Sequence, residues 1–334
     1  MEKKLFDYDL MISEHPWIVE SGKKFVVSPD ADGFYCSMLL TSILNWQCVG
    51  FYDGKALLLN HNFDENDIIY VDVEMFNPNK KSIGNHALLP GNVSAFKDVI
   101  EGGFKQSINP NLLREISNKE YNRKYPFGTS HFLLSILAYV FRDKLEGFLN
   151  TMEKIVTFTY ADGMIKNSIK YPKNTNDWAE YLRFNEEWNP LKEVENRPFT
   201  MHEIKCALDK FYDNVKSLSK KNQRGDKLSI TNQRGGLEAC EEKDNGLFMI
   251  KEENKSNILR FLNMLYNTFD IKFDNNMFDC WDDLSLTRFE KIVTKPGNKY
   301  FTEMFQKSPV SYAITGTNEL SYTVKKEDKN GKDS

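Results

Sequence analysis

The sequence has few features of a secreted, disulfide-bonded or membrane-spanning protein. Its 334 residues include five cysteines, and no two of them form a CxxC pair, so neither a zinc knuckle nor a disulfide framework is indicated. No run of about 18 apolar residues exists that would form a transmembrane helix. The opening stretch MEKKLFDYDL contains acidic residues and no apolar core, unlike a signal peptide. These absences predict reduced thiols, no membrane association and a cytoplasmic location.

The chain also lacks a strong excess of charge of either sign. The formal net charge is −4, with 28% charged and 40% hydrophobic residues, which is an ordinary balance for a globular protein. This excludes a uniformly basic protein that coats nucleic acid, but it does not exclude a local basic groove. The length is sufficient for two domains, each with its own hydrophobic core.

Two closely spaced aspartates follow directly after a predicted buried strand. Residues 24–28 (KFVVS) have the apolar character of a strand, and Asp30, Asp32 and Gly33 come next, before a predicted helix at 34–46. Asp and Gly are common turn residues, so this segment is compatible with a simple turn. Carboxylates are also the ligands that Mg²⁺ and Mn²⁺ prefer. The segment by itself therefore leaves a turn and a metal site open.

The alternation of strands and helices predicts an α/β fold with a mostly parallel sheet flanked by helices. In such sheets, ligands bind at the carboxyl ends of the strands. Asp72 closes one predicted strand, just as Asp30 and Asp32 follow another. This recurrence favours a metal site over a simple turn. The further predicted strands are 48–52, 56–59 and 67–73, and a strong helix is predicted at 127–141.

The character of the sequence changes beyond about residue 173, where the strand-like periods end. We predict a first domain at 1–190 and a second, smaller domain at 191–334 that is α+β or helical and serves substrate binding or an accessory role. Residues 319–334 end in KKEDKNGKDS and are predicted to be a frayed tail.

Five short motifs resemble, in the same order, those of the DHH phosphoesterases. This family includes RecJ-type exonucleases, short-oligonucleotide hydrolases, cyclic-dinucleotide phosphodiesterases and manganese pyrophosphatases. The resemblance covers roughly residues 23–175. The motifs are SPDADG (28–33), YVDVE (70–74), SIGNH (82–86), the segment INPN…YPFGTSHFLLSIL (108–137) and TYADGM (159–164).

The resemblance implies a metal-dependent phosphodiester hydrolase that acts on single-stranded or short oligonucleotides or on related nucleotides. It implies one or two Mn²⁺ or Mg²⁺ ions, with Asp72 as the bridging ligand and with Asp72 and His86 as catalytic residues. Gly84 and Asn85 stand where the family has an Asp and a His, so the signature is degenerate and Asn85 would be a weak, neutral ligand. The implied metal ligands are Asp30, Asp32, Asp72, His86 and Asp162.

Two further segments are candidates for contacts to substrate phosphate. Thr129, Ser130 and His131 stand at a predicted helix start, where free N–H groups bind anions. The tetrapeptide NQRG occurs twice and supplies Arg224 and Arg234, whose guanidinium groups suit phosphate. A solvated polar loop is the alternative interpretation of the NQRG pair.

Two other functions stay open. The degenerate motif is also compatible with a catalytically impaired nucleotide-binding sensor or a partner-binding subunit. A haloacid-dehalogenase-type phosphatase also begins with a strand and DxDG, but Phe34 stands where that motif normally has Thr. Its late paired acids would be those of CWDDLS at 280–285, which no predicted strand precedes. The partner predicted from the sequence is a nucleic acid or nucleotide substrate, and a protein partner or a homo-oligomer is left open.

Overall fold

The computed structural model describes residues 5–196, 200–218 and 226–326. Eleven strands of this part are hydrogen-bonded into one mixed sheet. The strands are β1 (Lys24–Val27), β2 (Gln47–Tyr52), β3 (Ala56–Asn60), β4 (Ile69–Val71), β5 (Lys81–Ile83), β6 (Ser107–Ile108), β7 (Cys240–Glu242), β8 (Phe248–Ile250), β9 (Leu284–Thr294), β10 (Ser311–Gly316) and β11 (Glu319–Lys325). Their order is β10-β11-β9-β3-β2-β1-β4-β5-β6, and β8 joins β7 to β9.

Parallel strands form one half of this sheet, in the order β2-β1-β4-β5-β6. Each of them is short and almost entirely buried. Strands covered on both faces are expected to be apolar throughout, which explains why runs such as FVV and IYV predict them well. The α/β prediction with a parallel sheet is confirmed for this part of the fold.

Helices cover the sheet, and two of them, α2 and α5, are buried along most of their length. The helix predicted at 34–46 starts earlier, at Ala31, because the Asp30 side chain accepts a hydrogen bond from the Gly33 N–H (3.3 Å) and caps it. The helices are α1 (Tyr8–Glu14), α2 (Ala31–Leu44), α3 (Val93–Gly103), α4 (Pro110–Leu113), α5 (Thr129–Val140), α6 (Arg142–Leu145), α7 (Met152–Thr159), α8 (Met164–Lys170), α9 (Pro172–Tyr181), α10 (Lys192–Asn196), α11 (Met201–Ser217), α12 (Glu252–Thr268) and α13 (Asn298–Gln306).

The antiparallel half of the sheet joins the two ends of the sequence. β9 pairs with β3 over the full length of β3, from Ala56 opposite Arg288 to Asn60 opposite Leu284. This pairing satisfies backbone groups of β3 that would otherwise form an open sheet edge. The sheet therefore continues across the predicted boundary at 190/191, and a two-domain arrangement is not confirmed.

The predicted frayed tail is wrong for its first part. Residues Glu319–Lys325 form β11, which lies between β9 and β10 and pairs with both. Leu320 and Tyr322 are buried there, so apolar packing and two hydrogen-bonded neighbours hold this segment. The end of the predicted tail, 327–334, lies outside the described residues.

The hairpin formed by β10 and β11 folds back over the carboxyl end of the parallel strands. The Phe76 N–H donates to the Val310 carbonyl (2.7 Å), and the Ile314 N–H donates to the His86 carbonyl (3.0 Å). Lys124 Nζ donates to the Ile314 carbonyl (3.1 Å). The C-terminal hairpin thus forms a wall beside His86. In the described part of the chain, no helix is long and apolar enough to cross a membrane.

Gly33 allows α2 to approach the end of β1 very closely. A Cβ atom at this position would lie 2.0 Å from the Ser28 carbonyl oxygen and 2.7 Å from Val27 Cγ2. Both neighbours are part of the packed strand end, which leaves little room for relaxation. The glycine of SPDADG is therefore required by packing.

We expect Gly33→Ala to lower the free energy of unfolding by about 2–4 kcal/mol, because the methyl group overpacks the junction of α2 and β1. Gly102→Ala is the matched control: it lies in α3, and no described atom comes within 4 Å of the position of its Cβ. There alanine should be neutral or stabilising by up to about 1 kcal/mol. Urea denaturation of both variants measures this, and equal effects would contradict the packing argument.

Candidate active site

The structure brings together the four aspartates at the carboxyl edge of the parallel strands. Asp30 and Asp32 follow β1, Asp72 follows β4, and Asp162 lies in the turn between α7 and α8. Asp72 and Asp162 have positive φ angles of 60° and 48°, a left-handed backbone that is uncommon for residues other than glycine. Such conformations are held where the surrounding structure requires them.

The Asp32 carboxylate lies at the amino-terminal end of α5 and is almost fully buried. It accepts hydrogen bonds from the Thr129 N–H (2.6 Å), the Ser130 N–H (3.1 Å) and the Ser130 hydroxyl. A Cβ at Gly128 would lie 2.5 Å from Asp32 Oδ1, so a glycine is needed there. The anion bound at this helix start is therefore a carboxylate of the protein itself.

Asp72 and Asp162 each accept a hydrogen bond from a neighbouring side chain. The Thr129 hydroxyl donates to Asp72 Oδ1 (2.7 Å), and Asp72 is buried. Asn85 Nδ2 donates to Asp162 Oδ2 (3.3 Å) and to the Phe127 carbonyl (2.7 Å). Asn85 thus acts as a hydrogen-bond donor that links Asp162 to the end of β5.

The carboxylates repel one another electrostatically. Burial, followed by the charges of Asp162 and Asp30, raises the pKa of Asp32 to about 7, although hydrogen bonds from Ser130 oppose this. Burial and the charges of Asp32, Asp30 and Asp162 likewise raise the pKa of Asp72 well above its ordinary value. The cluster therefore has an excess of negative charge that a bound cation would compensate.

Glu74 supplies a carboxylate that the sequence interpretation did not include in the site. It is buried, and its Oε1 accepts hydrogen bonds from the His86 N–H (2.6 Å), the Ala87 N–H (3.3 Å) and the Asn109 side chain. A Cβ at Gly84 would lie 2.7 Å from Glu74 Cδ. Gly84 is thus the residue that makes room for this carboxylate, which occupies the space beside the degenerate motif.

His86 is oriented by the same carboxylate. Its Nδ1 lies 3.6 Å from Glu74 Oε2. Burial lowers the pKa of His86, but the hydrogen bond and charge of Glu74 outweigh burial and raise it overall. Burial acts to raise the pKa of Glu74, and the contacts with His86 lower it overall. A carboxylate on one ring nitrogen leaves the other for a metal ion or a phosphate.

Two clefts open at the aspartates. The larger has a volume of about 1250 Å³ and includes Asp30, Asp32 and Asp162. The smaller has a volume of about 390 Å³ and includes Asp30, Asp72 and His86. Asp30, Lys227 and Ser229 line both clefts, so the segment 227–230 passes between them. This segment is fixed by the Leu228 N–H, which donates to the Pro29 carbonyl (2.8 Å).

The predicted phosphate contacts at the start of α5 have protein partners instead. The donors of Thr129 and Ser130 are directed at Asp32 and Asp72, as described above. His131 is fully buried, and its Nδ1 accepts a hydrogen bond from the Gly128 N–H (3.0 Å). Burial lowers the pKa of His131 to about 4, so the ring is neutral and cannot attract a phosphate by charge.

The buried neutral His131 should make the protein less stable in acid. Its pKa is about 4 in the folded protein and about 6.5 when unfolded. Protonation therefore favours the unfolded state. The contribution of His131 to the free energy of unfolding is complete above pH 6.5, and about 3 kcal/mol of it is lost as pH falls to 4. His131→Asn keeps an acceptor for Gly128 and should lack this component. Denaturant unfolding from pH 7 to 4 measures the difference between the two proteins, which should shrink in acid. A constant difference would contradict the assignment.

Of the two arginines of the NQRG pair, only Arg234 belongs to the described residues. Arg224 lies outside the described residues. Arg234 is exposed in a turn, where its N–H donates to Asn232 Oδ1 (2.9 Å). It is not among the residues that line either cleft. Arg234 therefore contributes to neither cleft in the described structure.

The paired acids Asp282 and Asp283 lie at the opposite edge of the sheet. They immediately precede β9, which is antiparallel to β3 and therefore runs in the same direction as β1 and β2. Lys243 Nζ contacts both carboxylates, at 2.9 and 2.7 Å. These acids cannot serve a haloacid-dehalogenase-type site at Asp30, because they precede a strand of the same direction and do not follow it.

The donor chemistry of the site suits a hard divalent cation, because buried carboxylate oxygens without a compensating charge are what Mg²⁺ and Mn²⁺ bind. Within the described residues, however, no group of three or more His, Cys, Asp and Glu side chains is arranged to hold a metal ion by itself. A bound ion would thus need oxygen atoms from water or substrate to complete its coordination.

Several residues of the site were not predicted from the sequence. Glu74 lies two residues after Asp72, and this spacing could have indicated it. Asp226 and Lys291 line the clefts as well, but no motif marks them. Asp226 reaches the site through the path of the chain after α11, and Lys291 through the position of β9 in the sheet.

Comparison with known proteins gives no assignment. No protein-family model matches this sequence, and neither a curated protein nor a solved structure matches it.

Proposed function

We propose that this protein is a metal-dependent phosphodiester hydrolase that acts on short or single-stranded oligonucleotides or related nucleotides. The convergence of Asp30, Asp32, Asp72 and Asp162 at the carboxyl edge of a parallel sheet carries this proposal. Three separate segments of the chain contribute these acids, and ligands bind at this edge in α/β folds. The order of motifs along the sequence, which resembles that of the DHH phosphoesterases, supports the same assignment.

In this proposal the four aspartates would hold one or two Mn²⁺ or Mg²⁺ ions, with Asp72, which lines the smaller cleft, as the shared ligand. A metal ion bound by these residues would supply a nucleophile at neutral pH and would compensate the charge that develops on the phosphate. His86, held by Glu74, binds a metal ion or donates a hydrogen bond to the scissile phosphate. Thr129 and Ser130 keep Asp72 and Asp32 in position through their hydrogen bonds.

The test is hydrolysis of end-labelled oligodeoxynucleotides, oligoribonucleotides and cyclic dinucleotides by the full chain in Mn²⁺, compared with the same reactions in EDTA. We expect cleavage that depends on Mn²⁺ for at least one of these substrates. Intact nucleotide binding with no turnover of any of them would overturn the enzyme assignment.

The second candidate is a nucleotide-binding protein without catalysis. The hydrogen bonds that already occupy both oxygens of Asp32 favour it, as does the incomplete metal coordination. This candidate predicts that nucleotide binding survives chelation, whereas the hydrolase should lose much of its affinity with the metal, since the acidic cluster repels phosphate.

A further inference from the structure

The larger cleft continues from the aspartates to a region of different chemistry. Ile165 and Ile169 of α8 form one side, and Leu208, Phe211 and Tyr212 of α11 form the other. Ile169 is 77% exposed in the described structure. An apolar surface beside an acidic cluster can hold a ligand that has both an apolar part and an anionic part.

Three aromatic rings form a small cluster in this region. The ring centroids of Tyr160 and Phe211 are 4.8 Å apart, and those of Phe211 and Tyr212 are 5.8 Å apart. Phe211 is buried against α7, whereas Tyr212 is 46% exposed. The Phe211 and Tyr212 rings meet edge to face, at an interplanar angle of 63°. Tyr212 lines the cleft and is half exposed, so it can offer an aromatic surface for stacking.

A buried carboxylate adjoins this aromatic cluster. Asp226 is 4% exposed, and its Oδ2 accepts a hydrogen bond from the Tyr160 hydroxyl (2.6 Å). Its Oδ1 is buried and has no hydrogen-bond partner among the described residues. A buried acceptor without a partner is costly. An N–H donor on a bound ligand would satisfy it, and Asp226 lines the cleft.

The charge of the cleft restricts the ligand further. Five carboxylates and three lysines line it in the described structure, so a phosphate can approach only together with a cation at the aspartate end. Lys166 and Lys170 of α8 and Lys227 can contact a phosphate from the other side. A planar ring with N–H donors, joined to a phosphate, is the chemistry of a nucleotide.

We infer that the larger cleft binds a nucleobase of the substrate, stacked on Tyr212 and hydrogen-bonded through an N–H to Asp226. The phosphodiester next to this base then lies at Asp30, Asp32 and Asp162. This inference rests on the proposed function for the position of the phosphate. It narrows the substrate class to base-bearing phosphodiesters and excludes base-free substrates such as inorganic pyrophosphate, which is a phosphoanhydride.

The test is calorimetric titration of the full chain in Mn²⁺ with a dinucleotide whose bridging oxygen is replaced by methylene, which prevents hydrolysis. An abasic analogue with the same linkage is the second ligand. We expect Tyr212→Ala to weaken binding of the base-bearing ligand about tenfold or more, as expected for loss of one stacked base, and to leave the abasic ligand unaffected. Tyr212→Phe should retain the affinity, and Asp226→Asn should weaken only the base-bearing ligand.

Leu10→Ala is the control, because Leu10 is 55% exposed, lies in α1 and is not among the residues that line the cleft. It should bind both ligands like the wild type. Equal wild-type affinity for the two ligands, or an equal effect of Tyr212→Ala on both, would overturn the inference, as would failure of both ligands to bind. Mn²⁺-dependent hydrolysis without base preference would support the proposed function and refute the base site. Binding that depends on Tyr212, without turnover, would support the base site and refute the hydrolase.

Discussion

Asp72→Asn should reduce Mn²⁺-dependent phosphodiester hydrolysis by about 1000-fold while leaving the fold intact, since one negative charge is lost from the centre of the metal site. Asparagine has the same shape, tolerates the φ angle of 60° at this position, and can still accept the hydrogen bond from Thr129. A change in activity would therefore reflect charge and coordination. Initial rates with saturating Mn²⁺ and a labelled oligonucleotide measure it, with circular dichroism to check the fold.

Asp283→Asn is the control for this experiment. Asp283 also has a positive φ angle, 51°, and also lies beside a strand, but at the opposite edge of the sheet. Its replacement breaks a surface ion pair with Lys243, which contributes little to stability. The control variant should retain full activity. Equal losses in the two variants would contradict a role for Asp72 that depends on its position in the acidic cluster.

Removal of divalent cations should lower the stability of the protein at pH 8 and have much less effect at pH 6. The pKa of Asp32 is raised to about 7, and the pKa of Asp72 is also raised. The metal-free folded protein therefore binds protons at these carboxylates more tightly than the unfolded chain does. The contribution of these groups to stability is then present at low pH and lost as pH rises through about 7. At high pH these carboxylates have lost their protons, and a bound divalent cation compensates their charge instead. The stabilisation by the cation therefore increases as pH rises through about 7.

Saturation with Mn²⁺ at a hundredfold excess over its dissociation constant would add about 2.7 kcal/mol to the free energy of unfolding. Thermal denaturation in Mn²⁺ and in EDTA, at pH 6 and pH 8, measures this as a difference in midpoint. Asp72→Asn should remove most of the shift at pH 8. A shift that is the same at both pH values, or that persists fully in this variant, would contradict binding at the aspartates.

The left-handed backbone at Asp72 and Asp162 connects the fold to the proposed chemistry. The two acids stand far apart in the sequence, but the charge of Asp162 acts on Asp72 in the folded protein, and left-handed backbone is found preferentially at functional sites. Glu74 adds to this picture, because Gly84 leaves space for its carboxylate and His86 is aligned by it. In the folded protein, the carboxylate of Glu74 therefore lies beside the degenerate motif at 82–86, which contains no acidic residue of its own.

The range of the interactions that form each feature determines whether that feature could be predicted from the sequence. The strand before Asp30, the helix after it and the strand before Asp72 depend on local patterns of apolar residues and on capping, so they could be predicted. The same local patterns predict that Asp30, Asp32 and Asp72 lie at strand ends. The sequence indicated Gly33 only as a turn residue, and the structure showed that it lies in α2 at a site of close approach.

Only the tertiary structure decided how the second half of the chain contributes. β9 covers the free edge of β3 although the two strands are more than 200 residues apart in the sequence. The choice of this strand and its register depends on the unpaired backbone groups of β3, and no local pattern encodes that choice. The same long-range packing brings Asp226 and the aromatic face of α11 to the acidic cluster. It also gives the donors at the start of α5 to Asp32 and Asp72 and not to a ligand, because buried carboxylates must be hydrogen-bonded.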